Sequence, residues 1–543
     1  STRPAPAGNA GHASGRVRPC RGMHDVELVL VSLLVAVAGL GAAARAVNIP
    51  YPIVLVVGGL VLGFAPGVPD VELEPELVLV LFLPPLLYSA AFFANLYELK
   101  RDLRSISLLA IGLVLATTCA VAIVAHALID GLSWAAAFTL GAIVAPTDPL
   151  AATAIARRQN APRRVVSIVE GESLINDGSA LVAYKVAVAA VGGGFSLWDA
   201  GLEFVVSATG GVLVGLAVGF LLSELRRRLD DIPVEITISL LSGYAAYLPA
   251  EALGVSGVLA AVTTGIVVGW HAPRISSPSM RLQGYAVWET LVFLLNALLF
   301  VLIGLQLAPI LEGLSGTSAA TLAGQAAAVS AAVVLTRIVW LNTMPFVIRA
   351  VDHRPQQRAR REGWRFRMIV AWAGMRGSVS LAAALALDPD FPQRNTVLLM
   401  TFAVILTTLV MQGLTLPALI RRLGVRGDGV EEREELAGRR AAVEMALVRL
   451  DELAGEPWTR DDTAERMRRA YEYRRRRLDA RAGEFDDGED YEHRARKYQK
   501  MVRAVLDAQR VELMRLRDAG TISNEVMHRL ERELDLEDER LEI

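Results

Sequence analysis

Glu172, Asn176 and Asp177 stand in the stretch GESLINDGSA (171–180), with VVSI before it and LVAYKVAVAAV after it, so polar groups occupy the centre of an apolar run. A carboxylate in such surroundings faces a water-filled cavity or a partner by default. Its oxygens suit a hard cation, and the same oxygens take a proton. The two states exclude one another, because protonation removes the charge that holds the ion. Asp177 is therefore the best exchangeable site in the chain. Helical spacing sorts the neighbours into two stripes, one with Glu170, Ser173, Asp177 and Tyr184, the other with Glu172, Asn176 and Ser179.

Two more segments carry charge at a point where a helix has difficulty continuing. In AFTLGAIVAPTDPLAATAIA, Pro146 and Pro149 bracket Thr147 and Asp148; in MIVAWAGMRGSVSLAAALAL, Gly374 and Gly377 bracket Arg376. Each proline lacks the N–H that a continuous helix needs, so the chain is expected to unwind near Asp148. The glycines ease the same break around Arg376. Thr147 and Asp148 then offer side-chain and freed backbone oxygens, and Ser173 a hydroxyl, which makes Asp177, Asp148, Thr147 and Ser173 the expected ion- and proton-binding set. Arg376 carries a permanent charge and must be paired. Glu172 is the expected partner, with Asn176 orienting the pair, so Glu172, Asn176 and Arg376 form a structural set.

These residues need a membrane fold to hold them. The chain has 543 residues, of which 53% are hydrophobic, a small excess over the roughly 45–50% of soluble domains. Distribution decides the class. Residues 1–25 form a polar N-terminal segment, residues 26–423 hold one apolar block after another, and residues 424–543 are dense in Arg, Glu and Asp. The net charge of −2 averages these regions and identifies no partner. Cys20 and Cys119 give neither a disulfide framework nor a metal spacing, and Cys119, inside an apolar run, is expected to be a small core residue. No cofactor and no nucleic-acid partner is expected.

With about 20 apolar residues per span, about thirteen spans are expected, centred near residues 35, 58, 85, 117, 145, 178, 213, 242, 263, 296, 334, 377 and 408. Alternating the loops collects Arg45, Lys100, Arg101, Arg104, Arg157, Arg158, Arg163, Arg164, Arg226, Arg227, Arg228, Arg274, Arg281 and the basic stretch 349–367 on one side, while the opposite loops hold almost no basic residue, Arg394 being the exception. That asymmetry places the basic loops and the tail in the cytoplasm and the N-terminus outside. Spans 1–6 and 8–13 then form an inverted repeat about span 7, and the breaks at 146–149 and 374–377 fall in corresponding spans, the signature of secondary transporters. Pro84 and Pro85 are expected only to kink span 3. Lys185 should snorkel or pair toward the outer side, and Glu235, Glu289, Asn296, Gln306 and Arg337 are lesser polar groups that line a cavity or anchor interfaces. The tail reads as amphipathic helices, with 468–481 a solvated face or a contact for anionic lipid.

The motifs APTDP (145–149), GESLINDG (171–178) and AGMRGSVSLA (373–382), supported by LFLPPLLYSAAF (81–92) and WETLVFLLNALLFVLIGLQL (288–307), resemble the monovalent cation/proton antiporter-1 family of NhaP-type and NHE-type exchangers, in its bacterial branch. The resemblance covers about residues 26–423. It implies an all-α membrane protein of thirteen spans with two broken crossing helices, a homodimer, and Asp177 as the carrier of Na+ and H+. The Asn176–Asp177 pair is the family's mark of electroneutral one-for-one exchange. One position departs from the pattern: several members carry an acidic residue where this chain has Tyr88 and Ser89. The function expected is exchange of intracellular Na+ for external H+ across the cell (inner) membrane by alternating access, serving pH and sodium homeostasis. The alternatives are K+ or Li+ exchange on the same fold and, more remotely, a cation channel or an intramembrane aspartyl protease.

Overall fold

The computed structural model describes residues 21–47, 49–64, 75–193, 197–307, 318–351, 362–427, 429–482 and 488–542, together with Ile310. Among these residues the fold is entirely helical, with no strand. Polar residues 1–20, including Cys20, lie outside the described residues. The chain divides into two compact units, one up to Gly427 and one from residue 428 onward.

Every centre expected for a span falls on a helix or on a break between two halves. The helices are α1 (Arg21–Ala46), α2 (Tyr51–Gly63), α3 (Pro75–Phe92), α4 (Leu96–Leu128), α5a (Trp134–Val144), α5b (Pro149–Arg158), α6 (Arg163–Val191), α7 (Leu197–Arg227) and α8 (Ile232–Ala252). They continue as α9 (Gly257–Ile275), α10 (Pro278–Leu305), α11 (Ala319–Val351), α12a (Trp364–Trp372), α12b (Ser378–Leu385) and α13 (Arg394–Leu423). By length and composition, eight helical segments of the described residues can cross a membrane, and Val31–Ala46, Tyr51–Gly63 and Val80–Phe92 are shorter apolar helices. Large apolar side chains such as Val35, Val61, Leu213, Phe220, Leu221 and Leu335 point away from the protein, a surface suited to lipid. Cys119 belongs to this outward face of α4, not to the core: an apolar run satisfies lipid as well as it satisfies a core, so apolarity alone could not place it. Pro84 and Pro85 lie within α3 without ending it.

Two groups of helices meet in the first unit. In one, α4, α5a, α6, α11 and α13 pack around the broken segments; in the other, α3, α7, α8 and α9 pack together, with α2 against α10. The approach of α2 to α10 is backbone on backbone. A Cβ at Gly304 would collide with the main chain of Val56, Gly59 and Leu60. Between the groups lies an apolar seam in which Leu174, Leu181 and Val379 pack against Leu83, Leu87, Ala91, Val258, Ala261 and Val262.

The second group has its own buried polar cluster. Arg226 at the end of α7 donates from Nη2 to Glu235 Oε1 of α8 (2.9 Å) and to Ser276 Oγ (3.3 Å), while Trp288 Nε1 donates to Ser239 Oγ (3.0 Å). Arg226 and Glu235 are both buried. Tyr88 packs against Phe92 and Trp288 here, and Ser89 donates to Leu86 O of its own helix at 2.9 Å.

The second unit contains α14 (Val430–Ala454), α15 (Asp461–Arg481), α16 (Gly488–Asp518) and α17 (Asn524–Glu542). They pair as two hairpins, α14 with α15 through Arg440–Asp479 (3.1 Å) and α16 with α17 through Arg510–Asp535 (2.8 Å) and Arg503–Asp538 (3.1 Å).

Removing one partner of a buried ion pair leaves an uncompensated charge and costs about 3–5 kcal/mol, whereas an apolar pair of similar volume is nearly neutral. Arg226→Ala should therefore lower the thermal unfolding midpoint of the detergent-solubilised protein sharply, and the double change Arg226→Met with Glu235→Leu should recover most of it.

Candidate ion site

The two helix breaks meet one another. α5a stops at Val144, residues 145–148 are non-helical, and α5b begins at Pro149; α12a stops at Trp372 and α12b begins at Ser378. The main chain bridges the breaks directly, with Asp148 N–H donating to Met375 O at 2.8 Å. Asp148 Oδ1 accepts the N–H of Leu150 at 2.9 Å, so it caps the N-terminus of α5b. A Cβ at Gly377 would strike the same carboxylate, which therefore also lies at the start of α12b. A negative charge at two helix N-termini is favourable, because the helix dipole presents positive ends there.

The opposite ends, where carbonyls are left unpaired, are met by arginines. Arg376 donates from Nε to Val144 O, the last residue of α5a, at 3.0 Å, and from Nη1 to Gly374 O. Its backbone N–H donates to Thr408 Oγ1 at 3.0 Å, and Thr408 opens the π-helical turn of α13. Arg337 of α11 donates from Nε to Ala371 O (3.1 Å) and from Nη2 to Val370 O (3.1 Å), near the end of α12a.

Here the structure corrects the pairing expected from sequence. Glu172 is held by Arg337, not by Arg376: Nη2 donates to Oε2 at 2.7 Å and Nη1 to Oε1, a fork on a carboxylate. Both residues are buried. The physical reason is that Arg376 is already engaged with the carbonyls of the breaks, whereas Arg337 reaches the same level from a neighbouring helix. Sequence reasoning left Arg337 among the lesser polar groups. The sequence signals that two arginines within apolar runs each need an acceptor and that span 6 supplies a glutamate, but not which arginine takes it.

The remaining polar groups follow from these anchors. Asn176 Nδ2 donates to Thr147 Oγ1 at 2.8 Å, and that hydroxyl donates onward to Glu172 Oε1 at 3.4 Å. Asn176 thus orients the ion pair through Thr147, and Thr147 links the two residue sets that the sequence separates. Ser179 donates to Ala110 O in the π-helical turn of α4, which ties α6 to α4. Glu170, on the Asp177 stripe, is drawn off by Arg157 at 3.0 Å.

Asp177 lies four residues beyond Ser173 on α6, and both are buried. The charge of Asp148 acts electrostatically on Asp177 and on the Tyr51 phenol. Asp177 Oδ1 and Asn176 Oδ1 are buried and accept no hydrogen bond from the described residues. Two permanent cations, Arg337 and Arg376, therefore share one neighbourhood with three carboxyls, Glu172, Asp148 and Asp177. With every group ionised the cluster is short of one positive charge, and within it Asp177 Oδ1 is the carboxylate oxygen left buried with no hydrogen-bond donor among the described residues. Among the described residues no group of three or more His, Cys, Asp or Glu side chains converges to hold a metal ion.

A family model described as "Sodium/hydrogen exchanger, transmembrane" matches residues 30–422. The chain is 34% identical over 453 residues to the Na(+)/H(+) antiporter ApNhaP of Aphanothece halophytica, covering 82% of this chain and 83% of that protein. It is 34% identical over 413 residues to the sodium, potassium, lithium and rubidium/H(+) antiporter of Bacillus subtilis (strain 168), covering 73% of this chain and 61% of that protein. The fold is similar to that of the sodium proton antiporter MjNhaP1 from Methanocaldococcus jannaschii, with a TM-score of 0.58 at 19% identity over 74% of this chain and 99% of that one.

The two arginines should respond differently to removal. Arg337→Ala strands the buried Glu172 charge and should cost about 3–5 kcal/mol. Arg376→Ala strands carbonyls and should cost about 1–3 kcal/mol. Unfolding midpoints of the two purified variants check the order; a larger loss for Arg376→Ala would reverse the assignment.

Proposed function

The chain belongs to the sodium/hydrogen exchanger family, and from that premise we propose that it exchanges intracellular Na+ for external H+, one for one, with Asp177 as the carrier. It is a membrane transporter of an antiporter family, not an enzyme, which removes the protease reading. The observation that carries the proposal is the make-up of the cluster, two buried arginines with three carboxyls, of which Glu172 and Asp177 are buried and Asp148 is half-buried. With one Na+ or one H+ on Asp177 the cluster is neutral, and with neither it carries an uncompensated negative charge in a low-dielectric surrounding. Such a charge is costly to move through the membrane centre. The loaded states cross and the empty one does not, which is the condition for coupled exchange. Because both loaded states carry the same net charge, the cycle moves no net charge.

In this reading Asp148, Thr147 and Ser173 stand near the ion as candidate oxygen ligands, and Glu172, Asn176, Arg337 and Arg376 keep the frame. No resident cofactor is invoked. The cell membrane is the proposed location, with the N-terminus outside, the tail in the cytoplasm, a homodimer as the assembly, and pH and sodium homeostasis as the role. A channel would need a continuous polar path, whereas the buried charge here is gathered at one crossing. The cation has a second reading: the Bacillus relative is named for sodium, potassium, lithium and rubidium, and an oxygen-only site of this kind discriminates weakly by ligand type.

Everted vesicles carrying a pH-sensitive dye provide the test. Addition of Na+, and separately of K+ and Li+, should dissipate the proton gradient with the preferred cation in the parent protein. Asp177→Asn should reduce the response to background. Retained exchange in that variant removes Asp177 as carrier, and a voltage-dependent current during exchange removes the one-for-one stoichiometry.

A further inference from the structure

The polar contacts of the seam between the two helix groups include one close pair of opposite charges. Lys185 Nζ of α6 lies 3.2 Å from Glu251 Oε2 of α8 and 3.5 Å from Oε1. Lys185 stands eight residues beyond Asp177 on the same helix, about 12 Å toward one membrane face. Glu251 is fixed on its own side, because Oε1 also accepts the N–H of Gly257, at the start of α9, at 3.2 Å. Below the pair the seam is apolar, with Leu181 and Leu174 against Val258, Ala261 and Val262, and Gly178, beside Asp177, faces Leu259. The carrier helix thus touches the other group through apolar surface, with the Lys185–Glu251 contact at its far end.

We propose that Lys185–Glu251 is a conformational latch that closes the mouth of the seam at that end and opens when Asp177 is presented to it. The proposal rests on the alternating-access reading above. Three features fit a latch. It joins the two groups, not two helices of one group. It lies where separation of α6 from α8 and α9 would first admit water toward Asp177. It is weak enough to open: the Lys185 side chain is 51% exposed and Glu251 36%, so it is screened. When it opens, Glu251 keeps Gly257 N–H and its carboxylate faces the entrance, where it raises the local concentration of cations.

A pair this exposed biases a two-state balance by about two- to fivefold, so the test must read the position of the seam and not only transport. The full-length protein with Cys20→Ser and Cys119→Ala carries Leu181→Cys as reporter, one turn below the latch. Reconstituted in lipid nanodiscs, where both faces are open to solution, its labelling by a charged maleimide is timed. Glu251→Gln, which preserves the acceptor for Gly257 N–H, and Lys185→Gln should each speed labelling about two- to fivefold. The swap Lys185→Glu with Glu251→Lys should return it toward the parent rate. Single variants that label at the parent rate overturn the latch, as does a swap that stays as fast as the singles. Failure of the exchanger reading is visible separately, because retained exchange in Asp177→Asn leaves these labelling rates untouched.

Discussion

The constraint on which the structure depends is that a helix broken inside a membrane leaves backbone groups with no water to satisfy them. Two such breaks occur among the described residues, and their loose ends are made to answer one another. Asp148 N–H bonds Met375 O across the crossing, Arg376 takes the last carbonyl of α5a, and Arg337 takes carbonyls near the end of α12a. The dipoles make the same demand. Cations sit at the two C-terminal ends and the Asp148 carboxylate at the two N-terminal ends. Any other arrangement of these charges would add repulsion to an unmet hydrogen bond.

The site follows from this frame more than from any ligand geometry. The two arginines are needed by the breaks, and two positive charges in the membrane centre need carboxylates. Glu172 answers Arg337 directly, and Asp148 is committed to the half-helix N-termini. Asp177 is then the acid with no arginine against it among the described residues, and its neighbour in sequence, the neutral Asn176, turns toward Thr147. A resident cation at Asp177, such as a third arginine, would make a well-satisfied core with nothing to exchange. On the proposed reading, exchange arises from one shortage of positive charge in a cluster whose other buried carboxylate, Glu172, is paired.

Much of this was legible in the sequence, for identifiable reasons. Pro146, Pro149, Gly374 and Gly377 act on the backbone locally, so the breaks could be placed without knowing the neighbours. The place of Asp177 at the centre of an apolar run is plain from the sequence alone. What could not be read was any choice among long-range partners. Arg337 and Arg376 are chemically identical candidates for Glu172, and only the rotation of α11 against α6 decides between them. The outward face of Cys119 has the same cause, since lipid and core are equally apolar. The π-helical turns at Leu108–Leu113 and Thr408–Gln412 also escaped; Ala110 O of the first accepts Ser179 and Thr408 Oγ1 at the start of the second accepts the Arg376 N–H, and no local residue preference announces them.

Magnitudes separate the parts that hold still from the part that moves. Glu172–Arg337 and Arg226–Glu235 are buried pairs, each within one helix group, and loss of one partner costs about 3–5 kcal/mol. Contacts of that size keep each group rigid through a transport cycle. Lys185–Glu251 spans the groups and is exposed, a setting in which an ion pair contributes about 0.2–1 kcal/mol. Had the strong and weak pairs been exchanged, the groups would loosen internally while remaining fastened to each other, and Asp177 would be held to one side. The apolar seam completes the logic, because Leu, Val and Ala surfaces that slide past one another break no hydrogen bond. Burial therefore sorts the ion pairs into frame and latch before any motion is considered.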